Sequence, residues 1–468
     1  MQIHLAMNPV PVAAVLRFSG DGQDGVPDTS LAEWQTEAAA VSVYRDRQPV
    51  LLVVGLGDTS KVDADTLRKA AGTALRRVEK EALASVLVYL PGVLDEEREI
   101  EALTEGMLLG AYKFDRYKAK AKSAVLQDVY LLAKADHSAA LTKATAFAGA
   151  TNLARDLANE PPNVLRPATL AEFAQRHFAD SNVEVTVWDE ARLLEERMMG
   201  LYAVGKGSTH PPRYVELRYQ TDATLPLVAL VGKGLTFDAG GISLKSGRDI
   251  SDMRMDMAGA AAVIGAFAAL VTTGAKCNVV GLIVAAENLP DGSAMLPGEL
   301  IQYRNGVSVQ VANTDAEGRL ALADALIRAH ELGAKYVIDI ATLTGAAANA
   351  LGTKYAAVFG QKQLVDQLCE LGEATGDFLW PLPLPPEYES QLKSDYADIT
   401  NIGKGKGGAI TAALFLRHFV DDGQAWAHID IAGPMEAERT EGYSPAGATG
   451  FGVRVMAEFV VHYSSRDE

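Results

Sequence analysis

The chain has 468 residues, of which 48% are hydrophobic and 22% charged, and its 60 acidic against 43 basic side chains give a formal net charge of −17. This length exceeds one ordinary domain core, so we expect two domains. A surface this acidic disfavours non-specific binding to nucleic acid or to anionic lipid. The two cysteines, Cys277 and Cys369, provide neither a disulfide framework nor a Cys/His zinc pattern.

The first 160 residues alternate between strand-like and helix-like segments. The N-terminal stretch "MQIHLAMNPVPVAAVLRFSG" predicts a strand rather than a signal peptide, because it contains two prolines and no basic region. Two short apolar runs, "PVLLVVGLG" and "ASVLVYLPG", flank an amphipathic helix pattern at 63–82. A further helix pattern (97–117) and strand pattern (123–133) follow, so we predict an α/β domain. Because Pro161 and Pro162 must end a helix, we place the boundary near residue 160, giving domains 1–160 and 161–468.

The second half alternates in the same way. Its apolar segments predict strands at 225–234, 277–286, 307–312 and 335–345, and helices at 257–275 and 321–333. Continuous apolar strands flanked by helices indicate a mostly parallel sheet that is buried on both faces. The uncharged segment 257–275 is long enough for a membrane check, but its Ala- and Gly-rich composition predicts a buried helix, and therefore a soluble, cytoplasmic protein without a membrane anchor.

The segment "NTDAEGRL" (313–320) places two acids and a cation at alternate positions after a predicted strand. If the chain continues in extended form, Asp315, Glu317 and Arg319 point to one side. Ligands of open α/β sheets bind at such strand ends. Taken alone, however, the pattern is a weak indication of a site and is more typical of a solvated turn between a strand and a helix.

A second group of polar residues follows the strand at 225–234. Lys233 comes directly after apolar residues, and Asp238, Lys245 and Asp256 follow it. A solvated strand end would explain Lys233, and a helix N-cap would explain Asp256. Clustered carboxylates repel one another unless cations neutralise them. Two divalent metal ions would do so best, and paired metals of this kind are used by hydrolases that include aminopeptidases.

Other chemistries have weaker support. The sequence contains neither H-E-x-x-H nor G-x-S-x-G, which disfavours a zincin or a serine hydrolase of the α/β-hydrolase type. The segment "NIGKGKGGAITAALFLRHF" (401–419) leads a Gly/Lys loop into a helix, where it could bind phosphate. It matches neither the P-loop nor the dinucleotide fingerprint, so we interpret it as a structural or substrate-side loop.

The blocks "VGKGLTFDAGGISLK", "MRMDMAGAAAV", "NTDAEGRLALADAL" and "ATLTGA" resemble the signature blocks of the leucine aminopeptidase (cytosol aminopeptidase) family of dinuclear metallopeptidases. The resemblance extends from about residue 100 to the C-terminus. It implies a macro-domain-like N-terminal α/β domain, a larger catalytic α/β domain with a mixed, mostly parallel eight-stranded sheet, and a homohexamer. The implied activity is removal of the N-terminal residue, preferably Leu, Met or another apolar residue, from peptides with a free N-terminus, by a hydroxide that bridges two divalent metals.

The resemblance also implies a role for each site residue. Five positions would bind two Zn²⁺ or Mn²⁺ ions: Lys233, Asp238, Asp256, Asp315 and Glu317. Among them Asp238 and Glu317 would bridge, Lys233 and Asp256 would complete an exchangeable site, and Asp315 a tighter one. Lys245 would stabilise the oxyanion, and Arg319 would hold bicarbonate as the proton shuttle. Six positions match the pocket for the first side chain: Met253, Asn313, Ala316, Thr342, Leu343 and Gly345.

Two places depart from the family pattern. Ala239 stands where many members have Ser, and the stretch 432–452 differs from a shorter family segment that lies near the substrate. Two further functions remain open from the sequence. One is a DNA-binding accessory role, which the acidic composition and the complete set of site residues disfavour. The other is hydrolysis of a different bond, such as a phosphoester.

Overall fold

The computed structural model describes residues 1–21, 37–119 and 125–464, which form two compact units. The N-terminal unit comprises Met1–Asn152 together with Ala437–Gly447, and the C-terminal unit comprises Leu153–Glu436 together with the residues from Ala448 onward. The division falls within a long helix that ends at Asn159, one residue before the proline pair. The N-terminal unit is thus built from two separate parts of the chain.

The N-terminal unit contains a six-stranded sheet in the order β1-β6-β5-β2-β4-β3. All neighbouring pairs are parallel except β3 and β4. Its strands are β1 (Gln2–Ala6), β2 (Ala14–Asp21), β3 (Val41–Tyr44), β4 (Val50–Asp58), β5 (Ser85–Tyr89) and β6 (Asp128–Leu132), and its helices are α1 (Ala64–Lys80), α2 (Glu96–Gly110) and the start of α3 (Ser138–Asn159). The aliphatic face of α1 packs with β2 and β4 in one core.

The C-terminal unit contains a mixed sheet of eight strands in the order β15-β14-β17-β13-β9-β10-β8-β7. Its strands are β7 (Glu184–Trp188), β8 (Arg213–Gln220), β9 (Val228–Asp238), β10 (Asn278–Asn288), β13 (Tyr336–Ala341), β14 (Ala356–Gly360), β15 (Leu379–Pro381) and β17 (Ala425–Asp430). The four central strands β17, β13, β9 and β10 are parallel, so their carboxyl ends share one edge. The predicted fold class, with two α/β domains and a mixed eight-stranded sheet, is confirmed.

Helices cover this sheet, and a small three-stranded sheet lies beside it. The small sheet consists of β11 (Leu300–Gln302), β12 (Ser308–Gln310) and β16 (Ile399–Thr400). The helices are α4 (Pro167–Phe178), α5 (Glu190–Glu195), α6 (Met199–Gly205), α7 (Ala258–Thr273), α8 (Gly318–Glu331), α9 (Gly345–Leu351), α10 (Lys362–Thr375), α11 (Gly408–Arg417) and α12 (Val453–Ser464). Two short bridging strands, β18 (Glu436–Ala437) and β19 (Gly447–Ala448), pair with each other.

Helix α7 packs unusually close to the central strands. A Cβ atom on Gly259 would lie 2.2 Å from the carbonyl oxygen of Ile340, and one on Gly232 would lie 2.9 Å from the Cα atom of Ala260. Glycine at both positions therefore allows the backbones of α7, β9 and β13 to touch. The segment Ser251–Thr273 is apolar and long enough for a membrane span, but 83% of its most apolar 18-residue stretch is buried inside the structure, as the sequence predicted for 257–275.

Two local expectations were wrong. Strand β9 does not end at residue 234 but continues to Asp238, and Lys233 is therefore not at a solvated strand end but inside the strand with 2% exposure. The segment after β12 does not continue in extended form: residues 313–317 form a turn, and α8 begins at Gly318. The turn is favoured because the Asn313 side chain accepts a hydrogen bond from the backbone N–H of Asp315 at 2.8 Å.

Helix α8 contains a buried acid that lies away from the other carboxylates. Asp324 accepts a hydrogen bond from the backbone N–H of Leu201 in α6 at 2.8 Å. Its second oxygen, Oδ1, has no hydrogen-bond partner within the described ranges. Burial therefore raises the pKa of Asp324 to about 7. Burial thus disfavours the ionised form of Asp324, although the hydrogen bond from Leu201 favours it.

Candidate metal centre and active site

A cavity of about 790 Å³ brings together all the residues selected from the sequence as ligands or catalytic groups. It is lined by Lys233, Asp238, Lys245, Asp256, Asp315, Glu317 and Arg319. The six residues proposed around the first side chain, Met253, Asn313, Ala316, Thr342, Leu343 and Gly345, line it as well. The cavity therefore joins the carboxyl ends of β9 and β13 to the turn before α8.

Lys233 lies at the centre of one half of the cluster. Its Nζ atom is 2.8 Å from Oδ1 of Asp256 and 3.0 Å from Oε1 of Glu317, and it donates to the carbonyl oxygen of Thr342 at 2.9 Å. The Thr342 hydroxyl donates to the same Asp256 oxygen at 2.7 Å. Oδ2 of Asp256 is buried without a partner among the described residues. Asp256 is thus held by Lys233 and Thr342 and is not a helix N-cap, since Met257 occupies the N-cap position of α7.

Lys245 lies at the centre of the other half. Its Nζ atom is 2.7 Å from Oδ2 of Asp238 and makes a short contact with Oδ1 of Asp315. The remaining oxygen of Asp238 accepts hydrogen bonds from the backbone N–H of Gly240 at 2.9 Å and from the side-chain amide of Asn288 at 2.8 Å. Asp238 is therefore oriented by fixed donors on one side, while its Oδ2 faces Lys245.

The turn before α8 is fixed from outside by Asn401. The amide of Asn401 donates to the carbonyl oxygens of Asn313 (2.7 Å) and Ala316 (3.2 Å), and the Asn401 carbonyl accepts from the Arg319 guanidinium at 2.9 Å. Nε of Arg319 is buried and has no partner in the described part of the chain. Asp315, Glu317 and Arg319 thus reach one cavity from a turn and a helix start rather than from one face of a strand.

Burial and neighbouring charges both shift the pKa values of the charged groups in the cavity. Burial alone would lower the pKa of Lys233, but the carboxylates of Asp256, Glu317 and Asp238 outweigh it and raise that pKa. Burial raises the pKa of Glu317, and the nearby Asp238 raises it further. Burial lowers the pKa of Arg319 to about 10, which leaves the guanidinium charged at neutral pH. The two lysines thus act as counterions of the acids.

The donor set fits two divalent cations. Four carboxylates face only two ammonium groups at the centre of the cluster, which leaves an excess of negative charge in a buried site. One oxygen each from Asp238, Asp315 and Glu317 lies within 4.8 Å of the others, close enough to share an ion. Carboxylate oxygens with one nitrogen donor suit ions such as Mn²⁺ and Zn²⁺.

Sequence patterns did not identify two residues that shape the site. Asn288 ends β10 and contacts Asp238, as described above, and also donates to the carbonyl oxygen of Thr314 at 3.0 Å. Asp430 ends β17 and accepts from the backbone N–H of Leu343 at 3.0 Å and the hydroxyl of Thr344 at 2.7 Å, which fixes the loop after β13. Both are polar residues at the end of an apolar strand, which is the signal that could have revealed them.

The segment 432–452, expected near the substrate, divides between two roles. Ala432 and Met435 line the cavity. Residues 437–447 belong instead to the N-terminal unit, where the Tyr443 hydroxyl donates to Asp65 at 2.7 Å. Only the first part of the segment therefore contacts the candidate site.

Comparison with known proteins agrees with this arrangement. Residues 152–457 match the catalytic domain of the cytosol aminopeptidase family, and residues 38–121 match the N-terminal domain of the same family. The chain belongs to the cytosol aminopeptidase family. The resemblance noted in the sequence blocks is therefore confirmed, and the family identifies the chain as a metal-dependent aminopeptidase, a hydrolase.

Individual relatives cover nearly the whole chain. A probable cytosol aminopeptidase from Aquifex aeolicus is 42% identical over 417 residues, which is 88% of this chain and 85% of that protein. One from Desulfovibrio desulfuricans is 43% identical over 427 residues, 88% of this chain and 85% of that protein. Among solved structures, the bottromycin maturation enzyme BotP matches this chain with a TM-score of 0.90 and 35% sequence identity. The match covers 97% of this chain and 100% of the BotP chain. BotP has also been solved in complex with Mn.

Proposed function

We propose that this aminopeptidase removes an N-terminal Leu, Met or similar apolar residue from peptides by means of two divalent metal ions. The observation that carries the proposal is the cluster of Lys233, Asp238, Asp256 and Glu317, which are buried, with the half-buried Asp315; its members converge from β9, the entrance of α7 and the turn before α8. Isolated solvated acids would not be buried together in this way.

We assign each ion a different set of ligands. Lys233 and Asp256 would complete an exchangeable site and Asp315 a tighter one, while Asp238 and Glu317 would contribute to both. Lys233 must be neutral to bind a metal, so metal binding releases its proton. Once bound, the two ions supply a water activated at neutral pH and polarise the scissile carbonyl. The solved relative in complex with Mn supports Mn²⁺ as one candidate, and Zn²⁺ suits the same donors.

Lys245 and Arg319 carry the remaining catalytic roles in this proposal. Lys245 is 17% exposed at its side chain, and its ammonium faces the cavity beside Asp238, where it can stabilise a developing oxyanion. The planar guanidinium of Arg319 suits a small carboxylate-like anion. Its unpartnered Nε supports this assignment, and bicarbonate is the anion that we propose as proton shuttle.

The substrate enters with its free amine toward the shared acids. Met253, Ala316 and Leu343 give part of the cavity wall an apolar surface, while Asn313, Thr342 and Gly345 contribute polar or open positions. This composition supports a preference for Leu or Met as the first side chain. We further propose that residues 161–468 carry catalysis, that the enzyme is a homohexamer and that it is cytoplasmic.

The test is release of leucine from a chromogenic leucyl amide by metal-free protein, before and after addition of Mn²⁺ or Zn²⁺. We expect no activity without metal and recovery with about two ions per chain. Activity that survives complete metal removal would contradict the proposal. Turnover of phosphoesters without turnover of amides would assign the site to a different hydrolase.

A further inference from the structure

The Gly/Lys loop at 402–408 forms one wall of the catalytic cavity. Ile402, Gly403, Gly405 and Gly408 all line the cavity that contains the clustered carboxylates. The loop follows Asn401, which contacts both the turn before α8 and Arg319. It is thus attached directly to the segment that carries Asp315 and Glu317.

The path of this loop is fixed by close packing. A Cβ atom on Gly403 would lie 2.8 Å from the Thr411 side chain, and one on Gly405 would lie 2.7 Å from the Gln391 side chain. Gly407 has a positive φ of 84°, a conformation that other residues rarely adopt. The glycines therefore place the backbone against the cavity and direct the intervening side chains toward solvent.

Lys404 and Lys406 are exposed on either side of Gly405, and neither forms an ion pair within the described ranges. The nearby Arg248 differs, because its guanidinium lies 3.2 Å from Asp252. The loop that lines this wall of the cavity therefore carries two exposed lysines that form no ion pair with the described residues, in a protein with a formal net charge of −17. Two exposed lysines on one short loop at the solvent side of the cavity are suited to an anion that arrives with the substrate.

The position of the loop indicates which part of a peptide it meets. The shared acids are buried, with Asp238 and Glu317 each 2% exposed, so the peptide amine must enter deepest. The rest of the peptide then extends toward the solvent side, where the lysines stand. A cavity of about 790 Å³ accommodates a short peptide.

We propose that Lys404 and Lys406 bind a carboxylate on the leaving side of the peptide, so that the enzyme favours short peptides with a free C-terminus or an acidic side chain over neutral amides. This inference rests on the proposed aminopeptidase function and adds a substrate class to it. An exposed ion pair changes binding by a factor of about 1.5 to 5, so two lysines that act independently give a preference of roughly 2-fold to 25-fold.

The test compares kcat/KM for Leu-Gly, Leu-Gly-Gly and Leu-Gly-Gly-Gly, each as the free acid and as the C-terminal amide. A second pair, Leu-Gly-Asp-amide and Leu-Gly-Asn-amide, separates an acidic side chain from the terminal carboxylate. We expect at least one acid to exceed its neutral partner about threefold or more, with the preference reduced at high salt. The double variant Lys404→Gln/Lys406→Gln should bring that ratio to about one and leave turnover of the neutral amides unchanged.

The matched control is Lys276→Gln/Lys362→Gln, which removes the same charge far from the cavity. Lys276 follows α7, whose sixteen residues separate it from Asp256 by about 24 Å. Lys362 follows β14, which runs antiparallel to β17 and so ends at the opposite edge of the sheet. The control should retain the full preference for acids.

A ratio of about one for every pair in the wild-type enzyme would overturn the inference, as would a ratio that the Lys404→Gln/Lys406→Gln variant leaves unchanged. Equal loss in both double variants would show a general charge effect and would also overturn it. Hydrolysis of the neutral amides separately supports the aminopeptidase function, whereas its absence in metal-loaded wild type would contradict that function itself.

Discussion

Replacement of Asn288 by Ala should weaken metal binding without removing any ligand. The Asn288 amide donates to Oδ1 of Asp238 at 2.8 Å and to the carbonyl oxygen of Thr314 at 3.0 Å. Asn288 is 3% exposed and Asp238 is 2% exposed, so water cannot readily replace the lost donor. After the substitution, only the backbone N–H of Gly240 holds that side of Asp238.

The magnitude follows from these two contacts. A hydrogen bond to a charged acceptor contributes about 1.5–3 kcal/mol, and a partner that holds a ligand in place commonly changes metal affinity by about 10- to 100-fold. We therefore expect dissociation constants for Mn²⁺ or Zn²⁺ to rise by about 10- to 100-fold in Asn288→Ala. The carbonyl oxygen of Thr314, left buried without this donor, should also lower the stability of the metal-free protein by about 1–3 kcal/mol.

The assay is a competition between metal-free protein and a fluorescent chelator, with the thermal midpoint of the metal-free protein measured in parallel. Asn349→Ala is the matched control, because Asn349 lines the same cavity without a hydrogen bond to any of the proposed ligands. It should leave the dissociation constants within about twofold. If Asn288→Ala binds metal as tightly as the wild type while remaining folded, the orienting role of Asn288 is refuted.

Three further substitutions test other parts of the site and fold. Lys245→Ala should lower kcat by about 10²- to 10³-fold with metal content retained, whereas Asp256→Ala should lose chiefly one of the two ions per chain. Metal analysis, carried out beside the amide assay, distinguishes the two results. Equal metal loss in both variants would contradict the assigned roles. Gly318→Ala should displace the Lys233 side chain, since the new Cβ would lie 2.5 Å from its Cε. The metal content, measured by elemental analysis, should therefore fall. Full metal content would show that Lys233 can move aside. Burial raises the pKa of Asp324 from 3.8 to about 7, so the stability that its neutral form provides is complete below pH 3.8 and is lost as pH rises through 7. The free energy of unfolding of Asp324→Asn, compared with that of the wild type, should therefore increase by roughly 2–3 kcal/mol from about pH 5 to about pH 9, measured by urea unfolding. A difference between the two proteins that does not change with pH would contradict the raised pKa.

The strand and helix order was predictable because each central element is strongly apolar. Strands β9 and β10 and helix α7 consist almost entirely of buried residues, so their patterns depend little on long-range partners. The end of β9 was less predictable. A lysine within a buried strand is tolerated only because Asp256 and Glu317 lie beside it, and those partners are distant in sequence.

The composition of the site was predictable, but the way it is assembled was not. Asp315, Glu317 and Arg319 do share one cavity, although the turn fixed by Asn313 and Asn401 replaces the expected extended segment. Asn288 was missed because its importance depends on the pairing of β10 with β9, which places it beside Asp238. Spacing along one segment identifies candidate ligands, whereas residues that orient them become visible only with the sheet register.

The discontinuous N-terminal unit has a consequence for synthesis on the ribosome. Tyr443 packs with Leu109 and Ala148 and bonds to Asp65, yet it is translated almost 300 residues after the first part of the unit is complete. At about 5–20 residues per second, this delay amounts to roughly 15–60 s. During that interval the nascent chain carries a nearly complete α/β domain with an uncovered apolar site, which is a natural point for a chaperone to act. A message truncated before codon 437 would leave that site permanently uncovered.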